Sequence, residues 1–140
     1  MRQMWHDIFG DEVAEIDAFF VRHDDALPFI HKENGEVVSM LFVVPLDMWG
    51  KRVAYIYAVA TKPEFRGRGI ASNLLKGAMQ QICIGEKYDI IALIPSSTES
   101  KRLYERLGFE DCQLPMEFSA SDYLGTGSPN HDLAMVKAIN

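Results

Sequence analysis

A mixed sheet of the α/β (α+β) kind, covered by helices on both faces, is the fold this sequence predicts. Three observations carry that expectation. Apolar residues switch repeatedly between a spacing of two and a helical spacing, giving the order helix, hairpin, strand, helix, strand, helix, strand, strand. The run Asp89–Ile94 is nearly all apolar, as in a strand buried on both faces. The 140 residues are 48% hydrophobic with eight phenylalanines, enough for one core, so residues 1–140 are expected to form a single domain.

Each element has a local signature. Residues 11–22 place Val13, Ile16, Phe19 and Phe20 at helical spacing, with Asp7 or Asp11 as a cap and acidic residues in the first turns, where the helix dipole favours them. Phe29–Lys32 and Val37–Val44 read as strands joined by the hairpin signal Asn34-Gly35, and Pro45 ends the second. Leu46–Lys51 reads as a loop, and Arg52–Ala60 as a strand rich in β-branched and aromatic residues. In the next helix Ile70, Leu74, Ala78 and Ile82 form one stripe with Leu75 and Met79 beside it, and Gly77 marks a close packing contact. Ser96-Ser97-Thr98-Glu99 reads as a capping box opening a helix to Leu107, with Gly108 behind it and Phe109 packing back. Phe109–Gln113 and Leu133–Ile139 read as the last strands, separated by a surface loop over Ser119–His131.

Composition narrows the function. Net charge is −6, unevenly spread: residues 1–50 carry three basic and ten acidic side chains, residues 51–140 eleven and ten. An acidic first third opposes nucleic-acid binding and suits a cationic partner, or simply a solvated helix. No apolar run approaches the roughly 20 residues of a membrane helix, and the N-terminus lacks a signal-peptide core, so a cytoplasmic protein with no membrane contact is expected. Cys83 and Cys112 are too few for a disulfide framework and read as buried thiols. The four histidines are scattered, so no metal is expected.

The most informative stretch is Val59–Ala71. An apolar strand ends, two arginines alternate with two glycines, and a helix begins at once. Main-chain N–H groups at a helix start, with the dipole behind them, make an anion site. Arg66 and Arg68 add forked donors suited to phosphate. A Walker loop would need Gly-Lys-Ser/Thr, which is absent. A dinucleotide fingerprint would need a third glycine where Ser72 stands, with Asp89 as the ribose acid; the strand also ends several residues too early for it.

The pattern Arg66-Gly67-Arg68-Gly69-Ile70-Ala71 resembles the acetyl-CoA loop of the GNAT acyltransferase superfamily. A second block, Ser97–Phe109, contains Leu103-Tyr104-Glu105-Arg106-Leu107-Gly108-Phe109 and is similar to another block of that family. The resemblance is specific over residues 53–109 and looser elsewhere. It implies a mixed, mostly antiparallel sheet whose central strands, 52–60 and 89–95, splay apart to admit pantetheine. It implies acetyl-CoA as co-substrate, bound by Val59, Thr61, main-chain groups of Arg66, Gly67, Arg68, Gly69, Ile70 and Ala71, and by Ser97 and Tyr104.

The same resemblance implies N-acetyl transfer to a small-molecule or peptide amine by direct attack. Tyr104 would be the general acid for the leaving thiolate, and the Val59 N–H the oxyanion donor. Two departures stand out: Ser97 replaces a common asparagine, and no carboxylate lies on the strand before the loop. The base is left among Asp47, His31, Asp122, His131 or a water chain. Tyr55, Tyr57, Trp49 and Phe42 are candidates for an aromatic wall at the acceptor side. A non-catalytic acyl-CoA-binding module, a nucleotide-binding module and a homodimer also remain open.

Overall fold

The computed structural model describes residues 2–48, 50–95, 97–112 and 134–139. Two helices, α1 (Arg2–Phe9) and α2 (Val13–Arg22), precede the strands β1 (Leu27–Glu33), β2 (Glu36–Met48) and β3 (Lys51–Thr61). A single 3₁₀ turn, Pro63–Phe65, leads into α3 (Ile70–Gly85). Then come β4 (Ile90–Leu93), α4 (Thr98–Arg106), β5 (Glu110–Cys112) and β6 (Ala134–Ala138). The strands form one sheet in the order β1-β2-β3-β4-β6-β5, antiparallel throughout except for the parallel pair β3/β4.

Alternation along the strands feeds two separate cores. On one face Trp5 of α1 and Ile16 and Phe19 of α2 pack on Phe42, Val44, Val53 and Tyr55. On the other, Leu75, Ala78 and Ile82 of α3 and Tyr104 of α4 pack on Leu41, Val43, Ala54 and Ile56. Trp5 anchors the first core, with its ring 5.0 Å from Phe19, 5.6 Å from Phe42 and 5.8 Å from Tyr57. Each such side chain contributes about 1.5–3 kcal/mol by leaving water.

Two features of β3 position the site. First, β3 pairs with β4 only over Val53–Ile56 against Ile90–Leu93, so the central strands part beyond Ile56 and Leu93. Second, Met40 faces Ala60 and Phe42 faces Tyr57, leaving Leu41 opposite both Ala58 and Val59. That is a β-bulge, with Ala58 at a φ of +56°, a left-handed conformation that costs an alanine about 1–2 kcal/mol. The extra residue reverses the alternation. Val59 joins the core of Ala54 and Ile56, while Ala60 joins that of Val53 and Tyr55.

Several expectations are corrected. Helix α1 was not anticipated; Met4, Trp5 and Ile8 give it an apolar stripe that packs on the sheet. Asp7 lies inside α1 and accepts from Gln3 Nε2, while Asp11 accepts from Trp5 Nε1 at 2.9 Å, so neither caps α2. Glu12 holds that place, its N–H donating to Glu15 Oε2. Pro45 does not end β2: pairing with β1 stops at Val43, and a residue without an N–H is tolerated on the stretch that pairs with β3 alone. Leu46–Met48 and Lys51 are therefore strand, not loop. Gly77 is exposed, and a Cβ there would meet nothing within 4 Å, so it marks no packing contact. Cys83 is exposed, not a buried thiol. The loop over Ser119–His131 lies outside the described residues.

Candidate active site

A cavity of about 560 Å³ opens where β3 and β4 separate. Val59, Ala60 and Thr61 of β3 form one side. The loop and the start of α3 (Phe65, Arg66, Gly67, Gly69, Ile70, Ala71 and Ser72) form the next. Helix α4 and its cap add Ser97, Glu99, Ser100, Leu103, Tyr104 and Arg106. From the opposite layer, Ile8 and Phe9 close it. Nine of the ten residues expected at the site, 59, 61, 66, 67, 69, 70, 71, 97 and 104, thus share one cavity.

The loop is braced from below. Ser39 and Thr61 face each other across β2 and β3, both buried; Ser39 Oγ lies 2.9 Å from Thr61 Oγ1 and donates to Ala60 O at 3.0 Å. Lys62 N–H donates to Val38 O at 2.8 Å. Arg66 Nε donates back to Thr61 O at 2.9 Å, which folds the loop onto the strand end. Gly67 and Gly69 take φ of +80° and +75°. Gly69 is the N-cap of α3, where no side chain caps the helix and no acidic residue occupies the first turn. The first N–H groups of α3 therefore face the cavity without a capping partner, and the positive end of the helix dipole is uncompensated. Such a start fits a phosphate.

Arg68 is the exception. It does not line the cavity: its guanidinium lies 3.8 Å from Glu33 and stacks 5.1 Å from the Phe65 ring centroid. An exposed arginine here finds an opposite charge and an aromatic face on the protein itself.

Tyr104 is 5% exposed. Burial pushes its phenol up to about 12, so the hydroxyl keeps its proton at every ordinary pH. A Schellman turn fixes it: Gly108 N–H donates to Glu105 O and Phe109 N–H to Tyr104 O, both at 3.0 Å, with Gly108 at a φ of +97°. Ser97 caps α4, its Oγ accepting from Ser100 N–H at 3.0 Å; the cap is therefore Ser97 itself, one residue later than a box closed by Glu99 requires.

The other candidates disperse. Asp47 lies 3.6 Å from Arg52 at the far end of the β2–β3 hairpin, and His31 lies 3.7 Å from Glu33 on β1; neither lines the cavity. Asp122 and His131 lie outside the described residues, as does Trp49. Tyr55, Tyr57 and Phe42 belong to the α1/α2 core and do not line this cavity. Burial raises both tyrosine pKa values; Tyr57 adds to the effect at Tyr55, and Asp11 adds to it at Tyr57. Asp89 accepts from Arg52 N–H at the opening of β3, the end remote from the loop, so it is no ribose partner. Ile8, Phe9, Glu99 and Arg106 were missed. The α4 set could have been found from the spacing 99, 103, 106 around Tyr104; Ile8 and Phe9 gave no signal before α1 was recognised.

A sequence profile of the Acetyltransferase (GNAT) family matches residues 1–109. The chain belongs to the GNAT acetyltransferase family. Solved structures share its fold. The IAA acetyltransferase from Bacillus cereus is 16% identical, with a TM-score of 0.72 over 99% of this chain and 91% of that one. The GNAT family N-acetyltransferase YhbS from Escherichia coli, in complex with CoA, is 18% identical, with a TM-score of 0.64 over 92% and 67%. A GNAT family acetyltransferase from Elizabethkingia anophelis with acetyl-CoA bound is 19% identical, with a TM-score of 0.64 over 89% and 81%. Other matching structures are much longer: this GNAT chain spans 29%, 28% and 15% of three of them. Among the described residues no helix is long and apolar enough to cross a membrane.

Proposed function

We propose that this GNAT protein transfers an acetyl group from acetyl-CoA to a primary amine by direct attack. The observation that carries the reading is the single cavity joining an uncapped helix start, a parted strand and a buried tyrosine. Main-chain groups of Arg66–Ala71 hold the pyrophosphate, and pantetheine lies along the opened edge of β3 near Val59 and Thr61. The amine nitrogen attacks the thioester carbonyl and the C–N bond forms. Val59 N–H, re-aimed by the bulge at Ala58, donates to the oxygen that gains charge. The C–S bond then breaks, and the leaving sulfur takes the Tyr104 proton. The proton lost by the amine leaves through water, and water returns a proton to the Tyr104 phenolate; among the described residues the only carboxylate lining the cavity, Glu99, sits at the α4 start beside the cap.

Ile8 and Phe9 form the acceptor side in this reading. Both are apolar, so the acidic first third does not itself select a charged amine. Thiol release from acetyl-CoA against a panel of amines tests the proposal. Release that depends on an acceptor supports it; tight binding of acetyl-CoA with no acceptor-dependent release for any amine favours a non-catalytic acyl-CoA-binding module. The absence of a carboxylate on β3 is what keeps that second reading in play.

A further inference from the structure

We propose that Lys137 is a positioning residue for Tyr104, tying the end of α4 to the sheet so that the phenol keeps its place at the cavity; the role rests on the reading of Tyr104 as proton donor above. Lys137 stands on β6 opposite Ile91 of β4, on the edge of β4 that faces away from β3. Its half-buried side chain reaches the turn after α4, where Nζ donates to Leu107 O at 2.8 Å. Leu107 is the C-cap of α4. A cation there meets the negative end of the helix dipole and one of the carbonyls that a helix end leaves without an internal partner. The other ion pair from this helix, Lys101 with Asp111 of β5 at 3.2 Å, holds its first half and leaves the end to Lys137.

Gly108 shows how closely the lysine is seated. A Cβ added there would lie 2.8 Å from Lys137 Nζ, 3.5 Å from Cε and 3.7 Å from Cδ. The glycine thus serves two ends, the φ of +97° that the turn requires and the room that the lysine fills. The same turn joins Leu107 to the tyrosine: Leu107 N–H and Phe109 N–H both donate to Tyr104 O at 3.0 Å. Movement of the Leu107 carbonyl therefore moves the main chain of Tyr104. Tyr104 also shares a core with Met135, two residues before Lys137 on β6. Apolar packing is non-directional, so it does not by itself fix the turn's orientation; the charged hydrogen bond does. The helix that carries the phenol must hold still while a ligand enters between β3 and β4. Lys137 ties that helix to β6, which pairs with the other edge of β4.

Steady-state kinetics of wild type, Lys137→Met and Lys137→Arg, each with Tyr104 kept or changed to Phe, decide it, with acetyl-CoA and an amine that supports thiol release. Lys137→Met keeps the stem and removes the donor. It is expected to lower kcat about fivefold, with the KM for acetyl-CoA changed by less than about twofold, and Lys137→Arg to recover most of the loss. In the Tyr104→Phe background Lys137→Met should cost nothing further, because the lysine acts through the hydroxyl. Should Lys137→Met not fold, Lys137→Gln carries the same comparison. A kcat equal to wild type in the folded variant, a change confined to KM, or losses that multiply in the double variant overturn the assignment and leave the Tyr104 reading intact. A Tyr104→Phe kcat equal to wild type, or a wild type that turns over no amine, overturns that reading and this one with it.

Discussion

Phe109 turns back on Tyr104: its N–H donates to Tyr104 O at 3.0 Å, and the two rings meet edge to face with centroids 6.0 Å apart. The turn that ends α4 therefore also sets the height and tilt of the tyrosine at the cavity. Tyr104→Phe keeps that packing and removes only the hydroxyl. Turnover is expected to fall about 10- to 100-fold, with acetyl-CoA affinity changed less than threefold. Steady-state kinetics beside equilibrium binding check it, and an unchanged kcat would reduce Tyr104 to a packing residue. Phe109→Ala is expected to cost about 3–5 kcal/mol of stability, read as a lowered Tm.

Alkaline pH tests the burial of the same ring. A tyrosine of ordinary pKa near 10 in the unfolded chain and about 12 when folded holds more protons in the native state between those values. Its contribution is fully present below pH 10 and is lost as pH rises toward 12, at up to roughly 1.4 kcal/mol per pH unit. Tyr55 and Tyr57 are raised in the same direction by burial. Tm should therefore be flat in this respect up to about pH 10 and drop beyond it, and Tyr104→Phe should make the drop shallower.

At Gly69 the φ of +75° excludes an easy fit for any L side chain, yet an added Cβ would meet no protein atom within 4 Å. Gly69→Ala should cost only about 1–2 kcal/mol of stability, from backbone strain. Coenzyme A binding should weaken at least tenfold, because the methyl group occupies the approach to the α3 start. Affinity equal to wild type in a folded variant would remove the pyrophosphate from that position.

Ala58 offers the opposite experiment. Ala58→Gly relieves the strain of the bulge and should leave turnover near wild type. Ala58→Val adds a β-branched side chain at φ of +56°, favours regular pairing with β2, and should lower turnover more than it lowers coenzyme A affinity. Equal turnover in the two variants would separate the bulge from the chemistry.

Gly77→Ala is a control for stability alone. The site is exposed, helical and open, so alanine should add about 0.5–1 kcal/mol and raise Tm by a few degrees without touching activity.

The loop and α4 side of the cavity was legible because its signals are local. A strand end, a glycine loop and a helix start are contiguous in Val59–Ala71, and Tyr104 sits on an amphipathic helix with a recognisable terminator. What was missed depends on partners distant in sequence. Pro45 stays in a strand only because β1 stops pairing at Val43. Ile8 and Phe9 reach the cavity only because Trp5 seats α1 on the sheet. Arg68 leaves the cavity because Glu33, on the edge strand, stands within its reach. The bulge was illegible for another reason: alanine is not a residue that announces a left-handed backbone.

The doubled position opposite Leu41 gives β3 two frames, one before Tyr57 and one after. Deleting Ala58 would let Leu41 face one residue instead of two and would leave Met40 opposite Ala60 and Ser39 opposite Thr61, so the loop would keep its brace while the main chain at Val59 lost its bulge. A one-residue gap here thus separates two things the fold joins: the seat of the loop, set by the ladder, and the direction of the main chain at Val59, set by the extra residue.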